Sequence, residues 1–237
     1  MSYFHHIKHR VGHKYREFRH NPLVSIAYFI IRKVFGPIVR LIWIKEVSGI
    51  KHIPRYGPAI AAFNHQSYFD FLCFIAVSPR NIHFLSAEKF FEHKLWKPLM
   101  KITGQIKVIR GESEHHLAVH NLVHKHLDAS KFIGIFPEGT RAPDNEKMLR
   151  PFTSVARYAI FKKVPVIPIG LKGTFEVMSR HDKKPKFTKM VSIKIGEPID
   201  LSHHNHEKVT REEYRKITNE IMFKIAELSG KQVYTGT

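Results

Sequence analysis

The sequence predicts an α/β fold: a single domain with a central, largely parallel mixed sheet flanked by helices, preceded by an N-terminal membrane-associated helical pair. Three observations lead there. Short apolar runs with the length and composition of buried strands alternate with helix-like segments through residues 45–237. Ahead of them, residues 22–44 are strongly apolar yet studded with Arg32, Lys33 and Arg40. A chain of 237 residues with 43% hydrophobic content is long enough for one sizeable core and too apolar for disorder to be its main state. No internal repeat or low-complexity linker divides it.

Composition adds a constraint on partners. The formal charge of +19 implies an anionic one, whether nucleic acid, a membrane surface or an acidic protein. Cys73 is the single cysteine, which excludes internal disulfides and suits a reducing compartment. The N-terminus is basic and His-rich with no small-residue cleavage site. No cleavable signal peptide is therefore expected, and the body of the protein is expected on the cytoplasmic side.

Residues 1–20 mix Lys, Arg and His with scattered aromatics. In residues 22–44 no uninterrupted apolar run approaches the ~20 residues of a spanning helix. Gly36-Pro37 should break the stretch into two short helices. With Trp43 and Tyr28 among its apolar residues, the pair reads as an interfacial anchor, and a helical hairpin packed on the domain's own core is the alternative. Strands are expected at residues 47–53, 58–63, 82–85, 105–111, 131–136, 164–171 and 191–196. Pro165 and Pro168 should lie near a strand end or a sheet edge. Helices are expected at residues 71–77, 91–102 (limited by Pro98), 113–128 (Ser113 as N-cap, Leu117, Val119, Val123 and Leu127 on or near one face) and 150–163. The last helix is framed by a capping box, Thr210 with Glu213, and by Gly230. Tyr214, Ile217, Ile221, Ile225 and Leu228 mark its buried face.

Two stretches carry chemistry. Asn64-His65-Gln66-Ser67-Tyr68-Phe69-Asp70 sits where a strand ends and a helix begins, a place where sites collect in α/β proteins. A neutral imidazole at His65 could take a proton from a hydroxyl. A carboxylate at Asp70 would fix its tautomer and stabilise the imidazolium. With 18 His in the chain, roughly half such a spacing is expected by chance. A His beside a helix start and an Asp in its first turn account equally well for these residues alone. The second stretch, Pro137-Glu138-Gly139-Thr140-Arg141, follows a buried strand. Its Gly permits a sharp turn and Arg141 offers a fork of donors suited to phosphate; a tight turn with a surface Arg is the alternative. His116, His120 and His124 recur every four residues and could hold a metal. With no Cys or carboxylate placed nearby they read as a solvated row, as do the His clusters at residues 5–13 and 203–206.

Four stretches stand in one order: Asn64-His65 to Asp70, Lys107-Val108-Ile109-Arg110, Phe136 to Arg141, and Val164-Pro165-Val166-Ile167-Pro168. Over roughly residues 45–200 the chain resembles the glycerolipid acyltransferase family of the 1-acyl-glycerol-3-phosphate acyltransferase (PlsC) type. The resemblance implies His65 as general base and Asp70 as its orienting partner. It implies Arg141 and Arg110 on the acceptor's phosphate, Glu138, Gly139 and Thr140 shaping the phosphate loop, and Pro168 lining the acyl or acceptor pocket. It departs where many relatives carry a basic residue and this chain has Ala87, with Lys89 two positions on. It departs again where relatives commonly read Phe-Lys-x-Gly and this chain has Phe152-Thr153-Ser154-Val155.

The implied activity is transfer of a fatty acyl group from acyl-CoA or acyl-carrier protein to the sn-2 hydroxyl of 1-acyl-glycerol 3-phosphate (lysophosphatidic acid), with no metal or organic cofactor. Glycerol 3-phosphate or a non-phosphate lysolipid is the alternative acceptor. An anionic membrane surface suits the basic charge. A basic nucleic-acid-binding protein is the rival from another class. It has only the charge in its favour, with no helix-turn-helix, zinc or stacking-platform signature, so no nucleic acid partner is expected.

Overall fold

The computed structural model describes residues 22–94, 96–109 and 113–235. Seven strands form one sheet: β1 (Ile44–Ser48), β2 (Ala59–Phe63), β3 (Ile82–Ala87), β4 (Ile106–Val108), β5 (Phe132–Ile135), β6 (Val166–Lys172) and β7 (Val191–Ile195), in the order β1-β7-β6-β2-β5-β3-β4. Every neighbouring pair is parallel except β6 and β7, which are antiparallel. The largely parallel mixed sheet expected from the alternation of strands and helices is therefore present. The inner strands β2, β5 and β6 read as unbroken apolar runs because both faces are covered.

Two cores lie on opposite faces of the sheet. On one, Ala59, Ala61 and Phe63 of β2 meet Cys73, Phe74 and Val77 of helix α2 (Phe69–Val77). On the other, Ile60 and Ala62 meet α5 (Ser113–Asp128), α6 (Ser154–Lys162) and α8 (Arg211–Ser229), which supply Leu127, Ile160 and Ile221. The capping box at Thr210 and Glu213 forms with both reciprocal bonds, and Gly230 closes α8 in the left-handed conformation, as the sequence predicts.

The N-terminal stretch departs from expectation. Pro22–Ile42 is a single helix, α1, not a pair, and it is long and apolar enough to cross a membrane. Residues Ile31–Phe35 widen into a π turn, in which the Gly36 N–H bonds the Ile31 carbonyl. The extra residue in that turn makes room for Pro37, whose ring and missing N–H would otherwise clash with and break the α ladder. Gly36 serves packing: a Cβ there would lie 3.2 Å from the Ala76 carbonyl oxygen of α2. Tyr28 is fully buried, donating to the Ile82 carbonyl and accepting from Gln105 Nε2. Val39 and Trp43 join the same core as α2.

Other boundaries shift for physical reasons. The strand expected at residues 47–53 is β1, three residues earlier, because it can run only alongside its one partner β7. A 3-10 turn over Ile50–His52 takes the remainder. The helix expected at residues 91–102 is two short ones, α3 (Lys89–Glu92) and α4 (Trp96–Ile102), with Pro98 in the first turn of α4, where no backbone N–H is needed. Pro168 lies at neither an end nor an edge: β6 is flanked by β2 and β7. Its carbonyl accepts from Gly196 N just beyond the last paired residue of β7, so its nitrogen faces the side where the antiparallel ladder has run out. The short helix α7 (Thr174–Val177) follows β6.

Candidate active site

The site is built where β2 and β5 end. After Phe63 the chain leaves the sheet, and Asn64 holds it there: its side-chain amide donates to the Leu171 carbonyl at 2.9 Å and accepts from Leu171 N at 2.8 Å. This two-way bond ties the end of β2 to β6 and fixes where His65 emerges.

His65 and Asp70 meet as the sequence predicts. Nδ1 of His65 lies 2.8 Å from Oδ2 of Asp70, which is completely buried at the start of α2. The same oxygen accepts the backbone N–H groups of Gln66 at 2.8 Å and Ser67 at 2.9 Å. The intervening residues wrap around the carboxylate, which leaves it one orientation. Nδ1 must then carry the proton, and Nε2 presents a lone pair. The imidazole stacks on Phe136 at the end of β5, with ring centres 4.1 Å apart. An imidazole held this way can accept a proton from a hydroxyl, with a fixed negative charge behind it.

Glu138 holds backbone amides with both of its carboxylate oxygens. It is buried, with Oε1 accepting from His65 N and Oε2 from Leu149 N, each at 2.7 Å. Burial pushes its carboxyl up to about 8 despite those two donors. Glu138 thus clamps the turn after β5 to the backbone of the candidate base, and Ala142 N adds a 2.8 Å bond to the His65 carbonyl. Gly139 turns this loop at a φ of +66°, and a Cβ would lie 2.6 Å from the Phe152 ring. Thr140 is exposed beside it.

Arg141 lies over the ring of Tyr68, its guanidinium 3.6 Å from the ring centre. Lys89 Nζ donates to the Tyr68 hydroxyl at 2.9 Å. One aromatic side chain of the His65–Asp70 turn therefore carries a cation on its face and another at its edge. Arg110, expected as the second phosphate ligand, lies outside the described residues. Pro168 is not brought to this cluster; it is buried within β6 opposite Ala62.

Sequence reading did not assign roles to Asn64, Phe136, Tyr68 or Lys89. Asn64 and Tyr68 carried a signal, since they stand within the motif itself. Lys89 carried only its place two positions past Ala87, where many relatives are basic, and the fold alone brings α3 against Tyr68. The His row on α5 gains a packing explanation: His120 and His124 contact Tyr158, and His124 also contacts Phe161. The side chain of His116 and the cluster at residues 5–13 lie outside the described residues.

Comparison with known proteins agrees with this geometry. The structure superposes on a crystal structure of the 1-acyl-sn-glycerophosphate acyltransferase PlsC from Thermotoga maritima with a TM-score of 0.68 at 22% identity, over 86% of this chain and 79% of that one. A 1-acyl-sn-glycerol-3-phosphate acyltransferase of Bacillus subtilis is 24% identical over 187 residues, 78% of this chain and 88% of its own. One from Helicobacter pylori is 30% identical over 124 residues, so the match spans about half of each chain (52% of both). A family model described as acyltransferase matches residues 45–172, which hold His65, Asp70 and the Glu138–Arg141 loop. The chain belongs to the acyltransferase family.

Proposed function

We propose that this acyltransferase moves a fatty acyl group from acyl-CoA or acyl-carrier protein to the sn-2 hydroxyl of 1-acyl-glycerol 3-phosphate, giving phosphatidic acid for phospholipid biosynthesis. His65 Nε2 takes the hydroxyl proton as the oxygen attacks the thioester carbonyl, and the thiolate leaves as the tetrahedral intermediate collapses. Asp70 offsets the imidazolium. Residues 45–237 are the catalytic domain. Residues 1–44 hold the anchor: the exposed side of α1, with Leu23, Ile30, Val34 and Leu41, meets the cytoplasmic face of the membrane. The docked face of α1 is occupied by protein, which favours lying on or dipping into one leaflet over spanning.

The observation that supports a phosphate acceptor is the pair of cations on Tyr68. Arg141 and Lys89 stand at the turn that carries the base, where a phosphate three bonds from the reacting hydroxyl would be held by charge-assisted contacts worth ~1.5–3 kcal/mol each. The names of the relatives point the same way. The test is thiol release from acyl-CoA with 1-acyl-glycerol 3-phosphate, monoacylglycerol and glycerol 3-phosphate as acceptors. The phosphorylated lysolipid should be preferred. Equal kcat/KM for it and monoacylglycerol would rule out the phosphate pocket.

A further inference from the structure

Residues 178–190, between α7 and β7, form a loop with an unusual combination of exposed groups. Phe187 is 78% exposed, although its ring stacks on Trp43 at 5.7 Å. Around it Arg180, Lys183, Lys184, Lys186 and Lys189 are exposed, against one acid, Asp182. The loop is held in shape: Lys186 N bonds the Val177 carbonyl at 2.8 Å, and Trp43 Nε1 donates to the Lys186 carbonyl at 2.8 Å. A lone exposed ring is ordinary on a protein surface; this one stands among five cations and beside the end of α1, where Leu41 is also exposed.

Two neighbours say what covers it. Trp43, at the C-terminal end of α1, is itself buried in the core, and the loop lies over it beside that end of the helix. A shallow cavity of about 360 Å³ joins them, lined by Arg40, Leu41 and Lys45 on one side and Lys189 on the other. At its other end the loop is fastened to the catalytic turn, where Ser67 Oγ donates to the Met178 carbonyl at 2.6 Å.

We propose that this loop is a second lipid contact, seating Phe187 among the headgroups of an anionic bilayer while its lysines and Arg180 meet lipid phosphates. The proposal rests on the reading of α1 as a membrane anchor. An aromatic ring ringed by cations fits the interface of such a bilayer, apolar below and anionic above. A soluble polyanion would match the charge and leave the apolar side uncovered. Because the loop and the His65 turn share the Ser67–Met178 bond, seating the loop also sets the site toward the surface from which a lipid acceptor arrives.

The test uses the full chain. Cys73 is buried, so Phe187→Cys accepts an environment-sensitive fluorophore selectively, and Lys208→Cys, exposed and remote in sequence, serves as control. Vesicles of phosphatidylglycerol with phosphatidylcholine should blue-shift the label at position 187 and leave that at 208 unchanged. In unlabelled protein Lys183→Gln with Lys184→Gln should lower vesicle partitioning about 30-fold, the worth of two cations at an anionic surface. Sedimentation with the vesicles and no shift at 187 overturns the loop contact while the anchor reading stands. Failure to sediment at all overturns both. A shift with soluble polyphosphate and none with vesicles assigns the loop to a soluble polyanion and overturns the proposal.

Discussion

At the scale of single residues the site isolates a charge in an informative way. Three N–H donors, from His65 Nδ1, Gln66 and Ser67, converge on one oxygen of Asp70. Asp70→Asn can keep its carbonyl oxygen in that place and all three bonds; it loses the negative charge and sets its amide nitrogen where Oδ1 is buried without a hydrogen-bond partner. Stability should fall by about 1–3 kcal/mol for the unpartnered amide N–H groups, KM should hold, and kcat should fall by ~10²–10⁴ because the imidazolium loses its counter-charge. Thermal unfolding beside steady-state kinetics checks this; a kcat near wild type would mean that Asp70 only shapes the turn. Glu138 gives a pH signature of the opposite kind. Its folded value of about 8, against an ordinary 4.5, means that the folded protein keeps a proton that the unfolded chain releases. That stabilising contribution is full below about pH 4.5 and is lost as pH rises through 8. The Tm advantage of wild type over Glu138→Gln should thus shrink between about pH 5 and pH 9. Taking the difference removes His83, which burial pulls down to about 4 and which is the same in both proteins. A difference independent of pH would show that Glu138 is ionised throughout. The motif residues were legible because His65, Asp70 and Arg141 keep their chemistry in any context. The inward turn of Glu138 was not, since a carboxylate in a phosphate-binding loop and one clamping backbone amides read alike in a string of letters.

Elements were legible where local signals agreed with tertiary packing. The helix at residues 113–128 followed from its periodicity, although Leu117 of the expected face is exposed, and α8 followed from its periodicity and caps. Signals failed where a neighbour overrode them. Gly36-Pro37 reads as a break, yet the close approach to Ala76 favours the glycine and the π turn absorbs the proline. Pro168 reads as an edge residue, yet its nitrogen falls just where β7 stops pairing. Neither could be read without knowing the partner element. The two faces of α1 should accordingly behave differently on substitution. Tyr28→Phe leaves the Ile82 carbonyl and Gln105 short of a partner in a buried place and should cost about 1–3 kcal/mol in denaturant unfolding. Leu23→Ser, Ile30→Ser, Val34→Ser and Leu41→Ser lie on the exposed side and should each change stability by no more than about 0.5 kcal/mol. Combined, those four should move the protein from the membrane to the soluble fraction. A large loss of stability from the exposed set would mean that this face is buried against protein.

For the whole molecule the +19 charge reads as a delivery device rather than a fold determinant. The sequence carried the magnitude of this charge. Its distribution had to come from the fold, which sets Lys186 and Lys189 beside the end of α1 and Arg141 with Lys89 at the base. The two groups act over different ranges. In their proposed role Arg141 and Lys89 would meet the acceptor's phosphate in direct contact, where salt screens little. The peripheral cations would act on a bilayer across water, where the Debye length is about 30 Å at 0.01 M salt and about 3 Å at 1 M. Salt should therefore separate reaching the membrane from binding the acceptor. Turnover of long-chain 1-acyl-glycerol 3-phosphate in anionic vesicles should fall steeply over that range. Turnover of a short-chain, monodisperse form of the same acceptor should fall far less, so the ratio of the two rates is the quantity to follow. The ratio should drop with salt in wild type and start lower, with a flatter slope, in Lys183→Gln/Lys184→Gln. A ratio that does not respond to salt would show that the surplus charge has no part in bringing the enzyme to its substrate, and that the apolar face of α1 is sufficient.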